Sequence, residues 1–322
     1  MSTLFRLTLV AVLAWFAQVP AFAQAYPVKS VRIIVPFGPG GSADGVARPL
    51  AERLGAVLGQ TFLVENRPGA MATIGATLVA KAEPDGYTLL LMPGTHVLAP
   101  RLLKSVPFNP VADFTPVSTV AFAPYAIFSA RNLPFATLKD LVLYARENPE
   151  KLSVGISDAS SRLALESMSQ AGKFKLTFIN YKGGGPITGD VVGGHLGLGI
   201  TTPVAVQAFH KERKVTVLAI TSPKRLGSMP DVPTVAEALG IAEFDSQTWF
   251  ALAGPAGMPR AVVDRLQRAV AQIIGEPDMR DRLQLMGLAP AEDTTPESLA
   301  TLMRTYAQRN AALMDAAKMT PE

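Results

Sequence analysis

Short segments rich in valine, isoleucine and leucine alternate with segments of helical periodicity, and this alternation occurs twice along the chain. The first set predicts strands at residues 31–35, 61–65 and 87–92, with helices at 46–58 and 74–82. The second set predicts helices at 138–146, 162–170 and 186–192 and strands at 152–156, 176–180, 196–200 and 215–220. Such alternation predicts an α/β fold of parallel sheets with helices on their faces. Further helices are predicted at 261–274, 277–286 and 296–316.

The length and two extended segments predict two lobes. A chain of 322 residues corresponds to about two domains. Extended segments at 125–131 and 248–254 separate the two alternating sets and the C-terminal helices. If both segments pass between lobes, residues 24–125 and 248–322 form lobe 1 and residues 126–247 form lobe 2. Two crossing strands make a natural hinge, because a few residues can absorb closure of a cleft.

The composition excludes several classes of protein. The chain has 30 Lys and Arg against 26 Asp and Glu, a net charge of +4, and no long basic run, so we expect no nucleic-acid partner. A hydrophobic fraction of 48% excludes a disordered chain. The absence of cysteine excludes disulfides, thiolate metal sites and cysteine nucleophiles. The three histidines are far apart and no His-Glu-x-x-His motif occurs, so we expect neither a metal nor a cofactor.

The first 23 residues have the form of a secretory signal peptide. Arg6 precedes an apolar run at residues 7–19, and Ala21 and Ala23 place small residues where a signal peptidase reads. The run is shorter than the roughly 20 residues that span a bilayer. We therefore expect export, with cleavage between Ala23 and Gln24 and a second candidate site after Ala25. Signal peptides also occur in eukaryotes, so this segment alone does not define the compartment.

Four loops follow predicted strands and carry the candidate ligand contacts. Ligands of parallel α/β sheets lie beyond the carboxyl ends of the strands. The loops cover residues 37–44, 93–96, 157–161 and 181–185, and the first and last are rich in glycine. Glycine lets backbone N–H groups approach a ligand, and a following helix start favours an anion. Ser42 is also a candidate N-cap for the helix that follows it.

The first loop also fits a loose dinucleotide fingerprint. Gly38, Gly40 and Ala43 have the spacing Gly-x-Gly-x-x-Ala, and Glu65 ends the next predicted strand. Pro39 removes a backbone donor from inside that loop, and export separates the chain from cytosolic nicotinamide pools. A dehydrogenase is therefore the weaker alternative. No Gly-x-Ser-x-Gly motif supports a hydrolase.

Several segments resemble the Bug receptors, the substrate-binding proteins of tripartite tricarboxylate transporters. The resemblance lies in VRIIVPF at 31–37, PGGSAD at 39–44, VENRPGA at 64–70, PDGYTL at 84–89, YKG at 181–183, DVPTVAE at 231–237 and WF at 249–250. It extends from about Tyr26 to about Met314. It implies a type II periplasmic binding fold and a Gram-negative periplasm. In that family, backbone and hydroxyl groups of the loop after the first strand hold the ligand carboxylate, partly through water.

The resemblance implies a monomeric receptor that catalyses no reaction. Its ligand would be a small organic anion, namely a mono-, di- or tricarboxylate or an amino acid, and its partners would be membrane transporter subunits. A ligand sensor that feeds a membrane signalling protein is the alternative function. The candidate ligand-binding residues are Phe37, Gly38, Pro39, Gly40, Gly41, Ser42, Asp44, Thr95, His96, Ser157, Ser160, Ser161, Arg162, Lys182, Gly183 and Thr201.

Two departures from the family pattern bear on the ligand. The loop at 157–161 lacks the family's usual glycines, and Arg162 stands where the family has histidine; Thr201 and Thr202 stand where it often has Phe-Asp. Arg162 either clamps a second carboxylate or pairs with Asp158 one turn earlier. Asp158 could in turn meet the ammonium of an amino acid. For His96, packing or helix capping is the alternative to ligand contact.

Overall fold

The computed structural model describes residues 26–149, 151–181, 183–242, 244–319 and 321. The signal peptide that the sequence predicts lies outside these residues, and so does Lys182. The described chain forms two α/β lobes, each built around its own sheet. This arrangement confirms the predicted fold class.

Lobe 1 contains a six-stranded sheet in the order β11-β4-β10-β3-β1-β2. Strands β1, β2 and β3 are parallel, while β10 pairs antiparallel with both β3 and β4, and β11 pairs antiparallel with β4. Four of the five residues of β1 are buried, as expected for a strand covered on both faces. The strands are β1 (Val31–Val35), β2 (Phe62–Asn66), β3 (Thr88–Pro93), β4 (Phe114–Pro124), β10 (Gln247–Pro255) and β11 (Ala289–Pro290).

Lobe 2 contains a five-stranded sheet in the order β7-β6-β8-β5-β9. β6 is parallel to β7 and β8, and β5 is antiparallel to β8 and β9. The strands predicted within each alternating set therefore run parallel, and each sheet adds antiparallel strands that lie outside that prediction. The strands are β5 (Ala126–Ala130), β6 (Ser153–Ile156), β7 (Thr177–Asn180), β8 (Leu198–Thr201) and β9 (Val215–Ile220).

Helices cover both sheets and bury four hydrophobic clusters against them. Gly59 closes the first helix in the left-handed conformation, as predicted. None of the helices in the described part of the chain is both long and apolar enough to span a membrane. The helices are α1 (Ser42–Leu58), α2 (Thr73–Ala80), α3 (Ala99–Leu102), α4 (Leu138–Glu147), α5 (Ala159–Gly172), α6 (Gly184–Val192), α7 (Gln207–Lys211), α8 (Val235–Leu239), α9 (Arg260–Gly275), α10 (Pro277–Leu285) and α11 (Pro296–Ala316).

The segments expected to connect the lobes are strands of the sheets themselves. β5 belongs entirely to the second sheet and β10 entirely to the first, and the chain passes between the sheets beside Tyr125 and Ser246. Thr221 joins the two crossings. Its hydroxyl accepts from the Tyr125 N–H at 2.7 Å, and its carbonyl accepts from the Ser246 N–H at 3.0 Å. The hinge is therefore short and hydrogen-bonded to lobe 2.

The two lobes also pack together near this hinge. Ala159 and Leu163 of α5 lie in the same buried cluster as Leu299 of α11. The Tyr306 hydroxyl donates to Ser160 Oγ at 3.0 Å, so the C-terminal helix of lobe 1 is bonded to the first turn of α5. These contacts hold α5 of lobe 2 against α11 of lobe 1.

Candidate functional site

A cavity of about 530 Å³ lies between the lobes and receives the four predicted loops. Many residues that the sequence predicts for the site line it. These are Phe37, Gly38, Pro39, Gly40, Gly41, Ser42, Thr95, Ser157, Gly183 and Thr201. The sequence list omitted other lining residues, namely Ala43, Pro93, Tyr125, Asp158, Gly184, Gly185, Pro186, Thr202, Val204, Ala205, Thr248 and Phe250.

Asp44 does not line the cavity, but its carboxylate is hydrogen-bonded to the first loop. Its carboxylate accepts from the Gly40 N–H at 3.0 Å, from Arg48 Nε at 2.8 Å and from Asn66 Nδ2 at 3.0 Å. Burial alone would raise the pKa of Asp44, but the hydrogen bonds from Arg48, Gly40 and Asn66 outweigh it and lower that pKa. Asp44 is therefore ionised at neutral pH, and its charge holds the loop.

The first loop presents backbone donors to the cavity. Gly40 has a φ of +83°, a conformation that favours glycine, and its N–H is already bonded to Asp44. The N–H groups of Gly38, Gly41, Ser42 and Ala43 donate no hydrogen bond to any residue that the structure describes. They are the free donors at the start of α1, where the helix dipole favours an anion.

Two helix starts face the cavity without a capping side chain. Gly41 is the N-cap of α1 and Gly183 is the N-cap of α6, and neither can supply a side-chain oxygen. The prediction that Ser42 caps α1 is wrong: Ser42 is the first helical residue, and its hydroxyl is 2.8 Å from that of Thr202. Uncapped starts leave N–H groups for a ligand anion.

The third helix start, that of α5, is closed by Asp158. The Asp158 carboxylate accepts from the Ser161 N–H at 2.9 Å and from the Tyr125 hydroxyl at 3.0 Å, and Ser157 Oγ lies 3.2 Å away. Burial raises the pKa of Asp158, although these hydrogen bonds oppose the shift. Asp158 is thus a cap and part of the cavity wall at the same time.

Among the lining residues that the structure describes, Asp158 is the only Asp, Glu, Lys, Arg or His. Glycine, proline, hydroxyl and apolar side chains form the rest of the wall. An anion in this cavity would therefore be held by backbone N–H groups, hydroxyl groups and the ends of helices. Within the described residues, no three His, Asp or Glu side chains are close enough together to hold a metal ion.

Some predicted residues lie near the cavity but do not line it. His96 is buried, its ring stacks on Phe108 at 5.1 Å, and its Nε2 lies 3.0 Å from the Pro110 carbonyl. Burial lowers the pKa of His96 to about 4, despite the opposing hydrogen bond to Pro110. His96 is therefore a neutral packing residue in this structure.

The other predicted residues that do not line the cavity, Ser160, Ser161 and Arg162, lie in the first turn of α5. Ser160 bonds to Tyr306, and Ser161 completes the capping box with Asp158. Arg162 does not pair with Asp158, contrary to one of the two alternatives. Its Nε lies 3.6 Å from Glu166 Oε1, and its guanidinium lies over the ring of Phe178. The Asp158 carboxylate caps the start of α5 instead, and Arg162 does not line the cavity.

The lobes touch at the side of the cavity away from the hinge. Besides the Ser42–Thr202 contact, Gln207 Nε2 donates to the Leu285 carbonyl at 2.9 Å. Gly287 is so close to Pro203 that an added Cβ would lie 2.4 Å from the proline Cβ. The cavity is therefore bounded by contacts on both sides, as in a closed two-lobed receptor.

Two α/β lobes that enclose a cavity and are joined by two crossing segments define the periplasmic-binding-protein class. The model of the tripartite tricarboxylate transporter family receptor, TctC, matches residues 46–319. The chain belongs to this family. BugT of Bordetella pertussis (strain Tohama I) is 32% identical over 92% of this chain and 91% of its own length. A UPF0065 protein of Pseudomonas sp. (strain P51) is 33% identical over 89% of this chain and 85% of its own length.

Solved structures of the same kind share the whole fold. The periplasmic binding protein BugD is 33% identical, with a TM-score of 0.83 over 92% of this chain and 100% of that one. An R. palustris protein solved with adipate is 30% identical, with a TM-score of 0.86 over the same shares. MatC from Rhodopseudomonas palustris, with bound malate, is 31% identical, with a TM-score of 0.80 over 89% of this chain and 99% of that one.

Proposed function

We propose that this chain is a periplasmic receptor that captures a small organic carboxylate and delivers it to the membrane subunits of a tripartite tricarboxylate transporter. In this proposal it makes and breaks no covalent bond. The observation that carries the proposal is the cavity wall: free N–H groups at the start of α1, a second uncapped helix start at α6, and no cation among the described lining residues. Such a wall suits a carboxylate of matching shape better than anions in general.

The ligand in this proposal carries two carboxylates. One carboxylate accepts from the free N–H groups of the 38–43 loop on lobe 1. The other end of the ligand meets the start of α6 and the hydroxyls of Thr201 and Thr202 on lobe 2. Adipate and malate, which are bound in two similar structures, are dicarboxylates, and this supports the choice.

We further propose that residues 1–23 are removed on export and that the lobes divide at residues 125/126 and 247/248. The strands support this division to within one residue, because β1 to β4 and β10 to β11 form the first sheet while β5 to β9 form the second, and Gln247 is the first residue of β10. Since α11 returns to pack on β4, lobe 1 is built from segments on both sides of lobe 2 in the sequence.

A thermal-shift screen of the mature protein against mono-, di- and tricarboxylates tests the proposal. A ligand at 100 times its dissociation constant should stabilise the fold by about 2.7 kcal/mol. We expect dicarboxylates to raise the melting temperature of the wild type and to leave that of the Gly41→Val variant unchanged. Recovery of a chemically altered ligand after incubation, as followed by proton NMR, would contradict the receptor function.

Delivery is tested separately in vesicles that contain the membrane subunits. Uptake of the labelled ligand should require the mature receptor, and the Gly41→Val receptor should not replace it. Uptake that is equally fast without any receptor would overturn the transport role while leaving carboxylate binding intact.

A further inference from the structure

A second concavity of about 460 Å³ lies on lobe 2, away from the cleft. Tyr125, just before β5, lines the cleft, whereas Arg131, just after β5, lines the second concavity. The five residues of β5 separate them, and six steps along an extended chain correspond to about 20 Å. The second concavity is therefore a separate site at the opposite end of the same strand.

Three cations with no ionic partner converge on this concavity. Arg131, Lys211 and Arg213 all line it, all are exposed, and none forms a salt bridge with any residue that the structure describes. Elsewhere in lobe 2, Arg225 pairs with Glu237 at 2.7 Å. Unpaired cations from separate elements that face one depression create a local positive potential.

The remaining polar groups of the concavity leave this potential in place. Asp231 is the one carboxylate in its described lining, and it lies 3.3 Å from His210 Nε2. His210 Nδ1 accepts from the Val217 N–H at 3.2 Å, which leaves Nε2 as the ring nitrogen that faces Asp231. The Ser228 hydroxyl also belongs to the lining and has no hydrogen-bond partner among the described residues.

Arg213 occupies a position where glycine is usually preferred. Its φ is +57°, and it ends the turn after α7, with its N–H bonded to the His210 carbonyl at 2.9 Å. Helices commonly end with glycine in this left-handed conformation, because a side chain there is disfavoured. Arg213 is therefore held in a backbone conformation that glycine would adopt at lower cost, and its side chain is exposed.

We infer that this concavity binds a phosphate group. Two guanidinium groups and an ammonium on different elements can surround a tetrahedral anion from several sides, and guanidinium matches phosphate oxygens in pairs. The volume exceeds that of inorganic phosphate, so the natural ligand is either a small phosphate ester or the headgroup of an anionic phospholipid. The site is independent of the carboxylate cleft.

Inorganic phosphate titrated into the mature protein by calorimetry at low salt is the first test. The variants are Arg131→Ala and Arg213→Gly, the latter placing glycine where the backbone favours it. Lys214→Ala is the matched control, because Lys214 lies beside Arg213 but pairs with Glu212 at 2.8 Å and does not line the concavity. We expect both arginine variants to weaken phosphate binding about tenfold, as for one lost charge-assisted contact, and the control to bind like the wild type.

Flotation with vesicles separates the two sources of phosphate. The wild type and Lys214→Ala should float with vesicles that contain phosphatidylglycerol, but not with pure phosphatidylcholine, if the source is lipid, and Arg213→Gly should lose this binding. Phosphate binding without flotation assigns the site to a soluble ester. Equal phosphate affinity and equal flotation in all variants, or binding to neither probe, would overturn the inference.

Discussion

The cleft and the concavity on lobe 2 are similar in volume but differ in the charged side chains that line them. The cleft, about 530 Å³, has no cation among its described lining residues, whereas the depression on lobe 2, about 460 Å³, has three. Backbone N–H groups and helix starts have fixed positions, so they select an anion by where its oxygens lie. Flexible, exposed cations attract anions over a longer range, and salt screens that attraction. In the two proposals, charge attracts the phosphate group on lobe 2, and fixed geometry selects the carboxylate in the cleft.

The largest expected effect comes from filling the cleft at Gly41. The backbone there is extended, with a φ of −84°, and an added Cβ would meet no atom within 4 Å. Gly41→Val should therefore leave the free energy of unfolding nearly unchanged while its side chain covers the free N–H groups. We expect carboxylate affinity to fall more than about a hundredfold, the equivalent of about 3 kcal/mol.

Calorimetry and urea unfolding measure the two quantities for this variant. Gly40→Val is the contrasting substitution, because the φ of +83° at Gly40 makes any side chain costly. It should lose stability as well as affinity. Carboxylate binding by folded Gly41→Val at the wild-type level would remove the 38–43 loop from the site.

The second expected effect is a loss of stability at low pH that is caused by the buried His96. His96, below the cleft, is 2% exposed, and burial lowers its pKa from 6.5 to about 4. The unfolded chain therefore binds the proton more readily, so the stability contributed is fully present above pH 6.5 and is lost as the pH falls towards 4. From pH 7 to pH 5 this loss should be about 2 kcal/mol.

Urea unfolding at both pH values measures this loss. His96→Phe, which keeps an aromatic ring against Phe108, should lose less stability than the wild type over the same interval. A pH dependence that is equal in His96→Phe and the wild type would show that other groups cause it.

The third expected effect comes from Asp158, which is the one carboxyl group among the described lining residues of the cleft. Asn is as good an N-cap as Asp, so Asp158→Asn should keep α5 intact. Removing the carboxylate should strengthen dicarboxylate binding by about 1 kcal/mol, or roughly fivefold, because repulsion is relieved. Calorimetry with malate and with aspartate checks this change. Weaker aspartate binding in the variant would show instead that Asp158 meets an ammonium group.

The smallest expected effect comes from the contact across the cleft mouth. Thr202→Val keeps the shape of the side chain but removes the hydroxyl that lies 2.8 Å from Ser42 Oγ. The closed form should lose about 0.5–1 kcal/mol, so the ligand should dissociate a few times faster. Stopped-flow release of the ligand measures this rate. An unchanged rate would show that the contact does not hold the lobes together.

The sequence predicted the local elements well, since β9 and α11 begin and end where the hydrophobic pattern placed them. It missed β4, which contains Pro116 and Pro124 and whose partner β10 lies more than a hundred residues further along the chain. Lining residues from that pairing, such as Thr248 and Phe250, were missed for the same reason. Hydrogen-bond pairing between two strands that are distant in the sequence produces no periodic pattern in the sequence of either strand.

Arg162 shows what spacing alone cannot decide. Residues four apart on a helix can pair, and Arg162 has a carboxylate four residues away on either side, Asp158 and Glu166. Asp158 followed three residues later by Ser161 is a capping pattern, and that signal would have assigned Asp158 to the backbone and left Glu166 for the arginine.

In the proposed receptor, backbone N–H groups of the 38–43 loop hold a carboxylate of the ligand in the cleft. Amide resonances of ¹⁵N-labelled mature protein, followed during titration with malate or adipate, test these contacts directly. We expect the resonances of Gly38, Gly41, Ser42 and Ala43 to move, together with that of Gly184 across the cleft. Shifts confined to Arg131, Lys211 and Arg213, with the 38–43 loop unmoved, would contradict this expectation.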